Sequence, residues 1–271
     1  MTAGFLWQKV RRWREQRVIS RRAVPDTLWA QTESRFPFLA LPLPADRTRL
    51  RELTSLFLGA KQFSGAHGLQ VTDEMAVAVA AQACLPVLHL GLGWYDAFVD
   101  IVVHEGELVT RREQVDDDGI VHEFDDVFSG EAMVGGPIVL SWEDVQMAGT
   151  DGEWGYSVVV HEMAHVIDTR DGRLDGMPPL PDRGRQARWA SVLAAAHDQL
   201  CDQLDAGQPT AIDPYAETSH DEFFAVACEA FFVTPQRLKA SFPALYAELQ
   251  GFFLQDPGGR AATTDEETLE G

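Results

Sequence analysis

Only three cysteines occur in 271 residues, and Cys84, Cys201 and Cys228 form no CxxC pair. So sparse and odd-numbered a set argues against a disulfide framework and a thiolate metal site, and leaves buried free thiols as the expectation. No apolar run approaches the roughly 20 residues that a membrane-spanning helix needs, so no stable membrane insertion is expected. The basic start of the chain lacks the apolar core of a secretory signal, and a cytoplasmic location is the expectation. Positive charge is also scarce: 22 Lys and Arg stand against 42 Asp and Glu, for a formal charge of −20. Phosphate binding needs a basic surface, so direct contact with nucleic acid is not expected.

What is present is an ordinary globular composition, 45% hydrophobic and 24% charged, with no internal repeats. Charge is unevenly spread. Residues 1–22 hold seven Lys or Arg against Glu15 alone, a net of +6 that leaves −26 on the rest. In that segment Leu6, Val10 and Trp13 make a short helical stripe, suited to packing on the acidic body or, alternatively, to touching anionic lipid or an acidic partner. The Pro-rich Phe36–Asp46 reads as an extended connector, followed by a helix with Asp46 as its possible N-cap. A second helix is expected from Thr72 through the alanine-rich MAVAVAAQAC. Strands are expected at AFVDIVV and PIVLSW, with the acidic VDDDGIVHEFDD between them as exposed turns or a hairpin. Helical spacing returns at Ser157 to about Arg170, Gln186 to about Asp205 and Ser219 to Phe232, and in a last segment broken at Pro243. This order predicts an α+β domain over residues 25–256, between a basic arm (1–24) and an acidic, disordered tail (257–271).

The chemistry concentrates in VVVHEMAHVID, Val158 to Asp168. A helix turns about 100° per residue, so His161 and His165 share one face a turn apart and can reach a common point. HExxH arises by chance in roughly one chain of this size in a hundred. The apolar setting strengthens it, and two histidines serving only as packing have no use for Glu162 beside the first. A catalytic zinc takes three protein ligands and leaves a fourth position open. The metzincin continuation HExxHxxGxxH is absent, since Asp168 and Asp171 stand where Gly and His belong. No Glu occurs between Glu162 and Glu217, which leaves Glu217, Glu222, Glu229 and several aspartates as downstream carboxylates.

Among these Glu222 is favoured, because it opens the apolar helix SHDEFFAVACEAFF and small Ala225 on the same face allows a close approach to the histidine helix. Ser219 and Glu222 also spell a capping box, in which Glu222 would bond back to the Ser219 amide, and the spacing leaves both roles open. Glu229, seven residues on, is open to three roles: ligand, acceptor behind a ligand, or buried ion-pair partner. Asp168 stands at i+7 from His161, placed either to orient that ring or as a solvated acid near a helix end at Gly172. The other histidines, at 67, 89, 104, 122, 197 and 220, show no ligand spacing.

HEMAHVID, DPYAETSHDEFFAVACEAFF, GPIVLSW and ACLPVLHLGLGWYDAF together resemble the Mlc titration factor A family of bacterial zinc-dependent peptidases, over roughly residues 45–256. The family is similar in its catalytic core to the lethal-factor type of gluzincin, in which a tyrosine precedes the ligand glutamate by seven residues. Tyr215 and Glu222 stand at that separation here, followed by Phe223 and Phe224. The resemblance implies a mostly helical zincin-like domain with a small mixed sheet beside the HExxH helix. It implies one Zn2+ per chain on His161, His165 and Glu222, Glu162 as catalytic base, and Tyr215 facing the reacting carbonyl. The implied partner is a peptide or protein substrate. The family's name implies a second activity, sequestering a transcriptional repressor of the Mlc type. Strand PIVLSW is a candidate edge for an extended substrate.

Overall fold

The computed structural model describes residues 23–106, 108–115, 121–128, 130–132, 136–150 and 154–259, together with Arg17 and Ile19. In chain order the elements are helices α1 (Asp26–Arg35) and α2 (Pro44–Ala60), strand β1 (Gln62–Gly65), helix α3 (Asp73–Cys84) and strand β2 (Asp100–His104). Strands β3 (Leu108–Val115), β4 (Val121–Phe128), β5 (Gly130–Ala132) and β6 (Ile138–Ser141) follow. Helices α4 (Trp142–Met147), α5 (Val158–Asp168), α6 (Arg183–Asp205), α7 (His220–Val233), α8 (Pro235–Ser241) and α9 (Pro243–Phe253) complete the fold. The result is a mostly helical α+β domain. Apart from four residues the basic arm lies outside the described residues, and so does the acidic tail beyond Gly259.

Helix starts follow local chemistry. The Thr72, Ser157, Asp182 and Ser219 side chains each accept an amide of the first turn of α3, α5, α6 and α7. Each satisfies a donor that the helix itself leaves open. The expected cap at Asp46 is not used: α2 begins two residues earlier at Pro44, whose ring presets a helical φ and leaves Asp46 in the first turn. The connector before it is less extended than its prolines suggest. Pro37–Leu39 form a 3-10 turn, and Phe36, Leu39 and Leu41 are buried in the core.

Helices α3 and α7 are apolar nearly all round, as a helix inside a core must be. Met75 and Val77–Cys84 are buried on α3, and Phe223–Phe232 on α7. Helix α5 lies against both and against β5 and β6. The sheet order is β1-β2-β6-β5, with β1, β2 and β6 parallel and β5 antiparallel to β6. The acidic segment closes as a separate antiparallel hairpin of β3 and β4, its turn lying outside the described residues.

This order corrects one expectation. Strand β6 pairs Ile138 with both Ile101 and Ala132, so it is interior and offers no free edge. The edges are β1 and β5, and β5 is the one beside α5. Helix α6 starts three residues before the expected Gln186, and β6 stops at Ser141, which caps α4. At the C-terminal end, Pro257–Gly259 form a 3-10 turn whose Gly258 amide donates to the Tyr246 hydroxyl at 2.6 Å, so the fold runs three residues past the expected boundary.

Candidate metal centre

Helices α5 and α7 run antiparallel and are joined at both ends. At the start of α5, the Thr234 hydroxyl donates to the Trp154 carbonyl at 3.3 Å and the Ser157 amide donates to the Glu229 carboxylate at 2.5 Å. Gly155 lies so close to α7 that a Cβ there would sit 3.2 Å from the Ala230 Cα. At the other end, Asp168 Oδ2 accepts the Asp175 and Gly176 amides at 3.0 and 2.7 Å. Gly176, at φ +75°, presses on the first residue of α7: a Cβ would meet the His220 carbonyl oxygen at 2.3 Å. Trp189 of α6 donates to the Gly176 carbonyl at 2.9 Å and locks the junction from a third side.

Between these ties, His161, His165 and Glu222 converge. The two Nε2 atoms are 3.1 Å apart. Glu222 Oε2 lies 3.0 Å from His161 Nε2 and 3.5 Å from His165 Nε2. Two donors about 2.0–2.1 Å from a tetrahedral zinc lie about 3.3 Å apart, so the triangle fits such an ion. Despite its proximity, Glu222 Oε2 is a buried oxygen that lines up with no hydrogen-bond donor among the described residues. Three lone pairs converging at this spacing could hold a cation. Two imidazoles and a carboxylate are a donor set for zinc or a neighbouring first-row divalent ion. Among the described residues this is the one group of three or more His, Cys, Asp or Glu side chains that converge closely enough to hold a metal.

The capping-box ambiguity resolves because the two roles use different atoms of Glu222. Its amide donates to Ser219 Oγ at 3.4 Å while its carboxylate turns to the imidazoles. Burial alone would raise its carboxyl, but the two imidazoles win and hold it well below the usual carboxylate range. Burial pulls the other way on His161, where the Glu222 and Glu229 carboxylates outweigh it and raise the ring well above its ordinary value.

Glu162 is 3% exposed, with Oε2 unpartnered among the described residues. Burial raises its carboxyl, and the neighbouring imidazoles only partly offset this. Tyr215 sits in the 3-10 turn Pro214–Glu217, where Asp213 Oδ1 accepts its amide at 2.9 Å. Its ring centroid is 6.4 Å from that of His161, and the side chain is 54% exposed at the mouth of the site. Burial of the hydroxyl, then the Glu222 charge beside it, pushes its pKa up to about 12.

Two sequence expectations change. Asp168 is neither solvated nor bonded to an imidazole: it is fully buried and holds the 175–176 loop. Glu229 takes the orienting place instead, its Oε1 lying 2.8 Å from His161 Nδ1. Gln82 and Ser157 join the site's surroundings through a 2.9 Å hydrogen bond and were not singled out from the sequence. A lone amide in the alanine-rich run of α3 was the available signal. Glu217 lies outside the converging group, with its carbonyl accepting from His197 Nε2 at 3.2 Å.

Fold and site together define a zincin-like metallopeptidase domain. A family model described as glucose-regulated metallo-peptidase M90 matches residues 10–254. Mlc titration factor A of Klebsiella pneumoniae is 38% identical over 232 residues, covering 84% of this chain and 86% of its own. The same-named protein of Escherichia fergusonii is 37% identical over 224 residues, 82% and 83% of the two chains. The uncharacterized protein slr2042 of Synechocystis is 35% identical over 246 residues, 90% and 89%. The chain belongs to the Mlc titration factor A family of M90 metallopeptidases. Among the described residues no helix is long and apolar enough to cross a membrane.

Proposed function

We propose that this chain is a zinc-dependent peptidase that hydrolyses peptide bonds in peptide or protein substrates, with one zinc held by His161, His165 and Glu222. The observation that carries the reading is the convergence of those three donors beside the buried, unpartnered carboxylate oxygen of Glu162. A structural metal site has no use for such a group, and a hydrolytic one needs it. Bound by His161, His165 and Glu222, zinc would supply Lewis acidity, to polarise a carbonyl and bring the ionisation of water toward about pH 7.

Glu162 then acts as the base that takes a proton from the attacking water and hands it to the leaving amine. Its raised carboxyl pKa, a consequence of burial, brings it closer to the working pH, where a general base is most effective. Tyr215 keeps its hydroxyl proton across the neutral range and donates it to the oxyanion that develops on the substrate carbonyl.

The test is Glu162→Gln. The variant is expected to bind zinc stoichiometrically, by metal analysis, and to lose cleavage of a peptide library; turnover equal to the parent would remove the assigned base. A second reading is supported by the names of the relatives, titration factors of Mlc: a binding protein that sequesters a transcriptional repressor. The two activities are compatible in one chain. Loss of repressor binding in folded Glu162→Gln would place both in the same cleft, and retained binding would separate them.

A further inference from the structure

We propose that Glu229 is the positioning residue of the metal centre, a single carboxylate that sets both the tautomer of His161 and the start of the helix that carries it. The proposal rests on the reading of His161 as a metal ligand.

An imidazole offers a lone pair at Nε2 only when its remaining proton sits on Nδ1. Glu229 Oε1 lies 2.8 Å from that nitrogen, placed to accept its proton, and so favours the Nδ1–H form. The other oxygen, Oε2, accepts the Ser157 amide at 2.5 Å. Glu229 is 5% exposed, and its two oxygens hold the two ends of the five-residue stretch from the cap Ser157 to His161. Swinging of the ring and slipping of the helix start are therefore opposed by one group.

The reason lies in how the two helices begin. In a capping box the serine side chain accepts an amide of the first turn, while a glutamate at the third helical position reaches back to the serine amide. Helix α7 has both partners, Ser219 and Glu222, but its glutamate points to the imidazoles. Helix α5 has the serine but Val160 in the glutamate's position, and Glu229 supplies the missing carboxylate from α7. Ser157 is oriented in turn by Gln82: its hydroxyl donates to Gln82 Oε1 at 2.9 Å and accepts the Val160 amide at 3.3 Å. Gln82 is fully buried on α3, so three helices meet at Ser157. Gly155 permits the meeting, since any side chain there would collide with α7.

The experiment compares zinc affinity of the full chain, by chelator competition, for the parent and for Glu229→Gln, Gln82→Met and the packing control Phe232→Leu. Loss of such an orienting partner typically costs about 10–100-fold in metal affinity. Glu229→Gln is expected to show that loss and Gln82→Met a smaller one, while Phe232→Leu loses thermal stability but keeps its affinity. In zinc-loaded parent protein, the His161 Nδ1 proton is expected as a slowly exchanging, downfield resonance that Glu229→Gln weakens or shifts. If Glu229→Gln does not fold, Gln82→Met and the His161 resonance decide. Unchanged affinity and an unchanged His161 signal in the folded clamp variants, with a parent that binds zinc through His161, overturn the proposal alone. A parent that binds no zinc, or a His161→Ala variant that binds it as tightly, overturns both this proposal and the peptidase reading.

Discussion

Lys61 and Glu162 are both ionisable groups drawn out of water, and the protein treats them in opposite ways. The Lys61 ammonium donates to the Tyr95 and Phe98 carbonyls, each at 2.5 Å, and lies 3.7 Å from the Phe98 ring centroid. Its hydrogens have partners, and the charge faces an aromatic quadrupole. Lys61 is half-buried and Glu162 is enclosed more completely, yet one Glu162 oxygen is left without a donor, as are Glu222 Oε2 and His165 Nδ1 nearby among the described residues. An unpaired buried polar atom costs about 1–3 kcal/mol. Two carbonyl acceptors and a ring face mark Lys61 as part of the scaffold. The unpartnered atoms of Glu162, His165 and Glu222 belong to one site, and there the fold forgoes stability for chemistry.

The sharpest way to break this contrast is to remove the acid. Glu162→Gln is expected to lower peptide cleavage by about 10²–10⁴-fold while its melting temperature stays level or rises, as read in parallel turnover and thermal scans. A marked drop in stability would show that Glu162 belongs with Lys61 on the structural side. Next in size is the metal. Stripping it with a chelator is expected to lower the melting temperature, and free zinc at 100 times its Kd should restore about 2.7 kcal/mol. An apo protein as stable as the loaded one would mean that the triangle is satisfied without a cation.

Gly176→Ala tests whether the scaffold around the site is as tightly specified as the Lys61 pocket. Forcing a side chain at φ +75° and against the His220 carbonyl is expected to cost at least about 1–3 kcal/mol in denaturant unfolding. Indifference to the change would mean that the loop from Asp168 to α7 is free to adjust.

The smallest effect is a pH dependence. Burial lowers the Lys61 pKa from 10.5 to about 8, with Asp96 opposing. Between those values the unfolded chain holds a proton that the folded chain does not, so stability rises with pH across that window. The contribution is full above 10.5 and lost as pH falls through 8. Relative to Lys61→Met, the parent should therefore gain stability from about pH 8 to 10.5, and parallel curves for the two proteins would refute the assignment.

Legibility along the chain followed the range of the interactions. The pairing of His161 and His165 is an i, i+4 relation within one helix, and the Ser219 cap of α7 is a contact over three residues. Such features need nothing beyond helix geometry, and they were readable directly. Glu222 was favoured among several carboxylates from its place at the start of an apolar helix, but choosing between ligand and cap took the resemblance, because its distance from His161 is a matter of how α7 crosses α5. The roles of Asp168 and Glu229 were misassigned or left open for the same reason: identical i+7 spacing leads one to a loop and the other to an imidazole. Strand PIVLSW was recognised as a strand, but its interior place depends on Gly130–Ala132, a segment too short to carry a strand signal.

By itself, the amino-acid order determined most of the longer helices, two of the converging donors and the adjacent acid. Which carboxylate completes the triangle, which one holds the ring behind it and which strand is left at the edge were decided only on folding. Those choices depend on contacts between residues dozens of positions apart, and their geometry exists only once apolar burial has brought α3, α5 and α7 together.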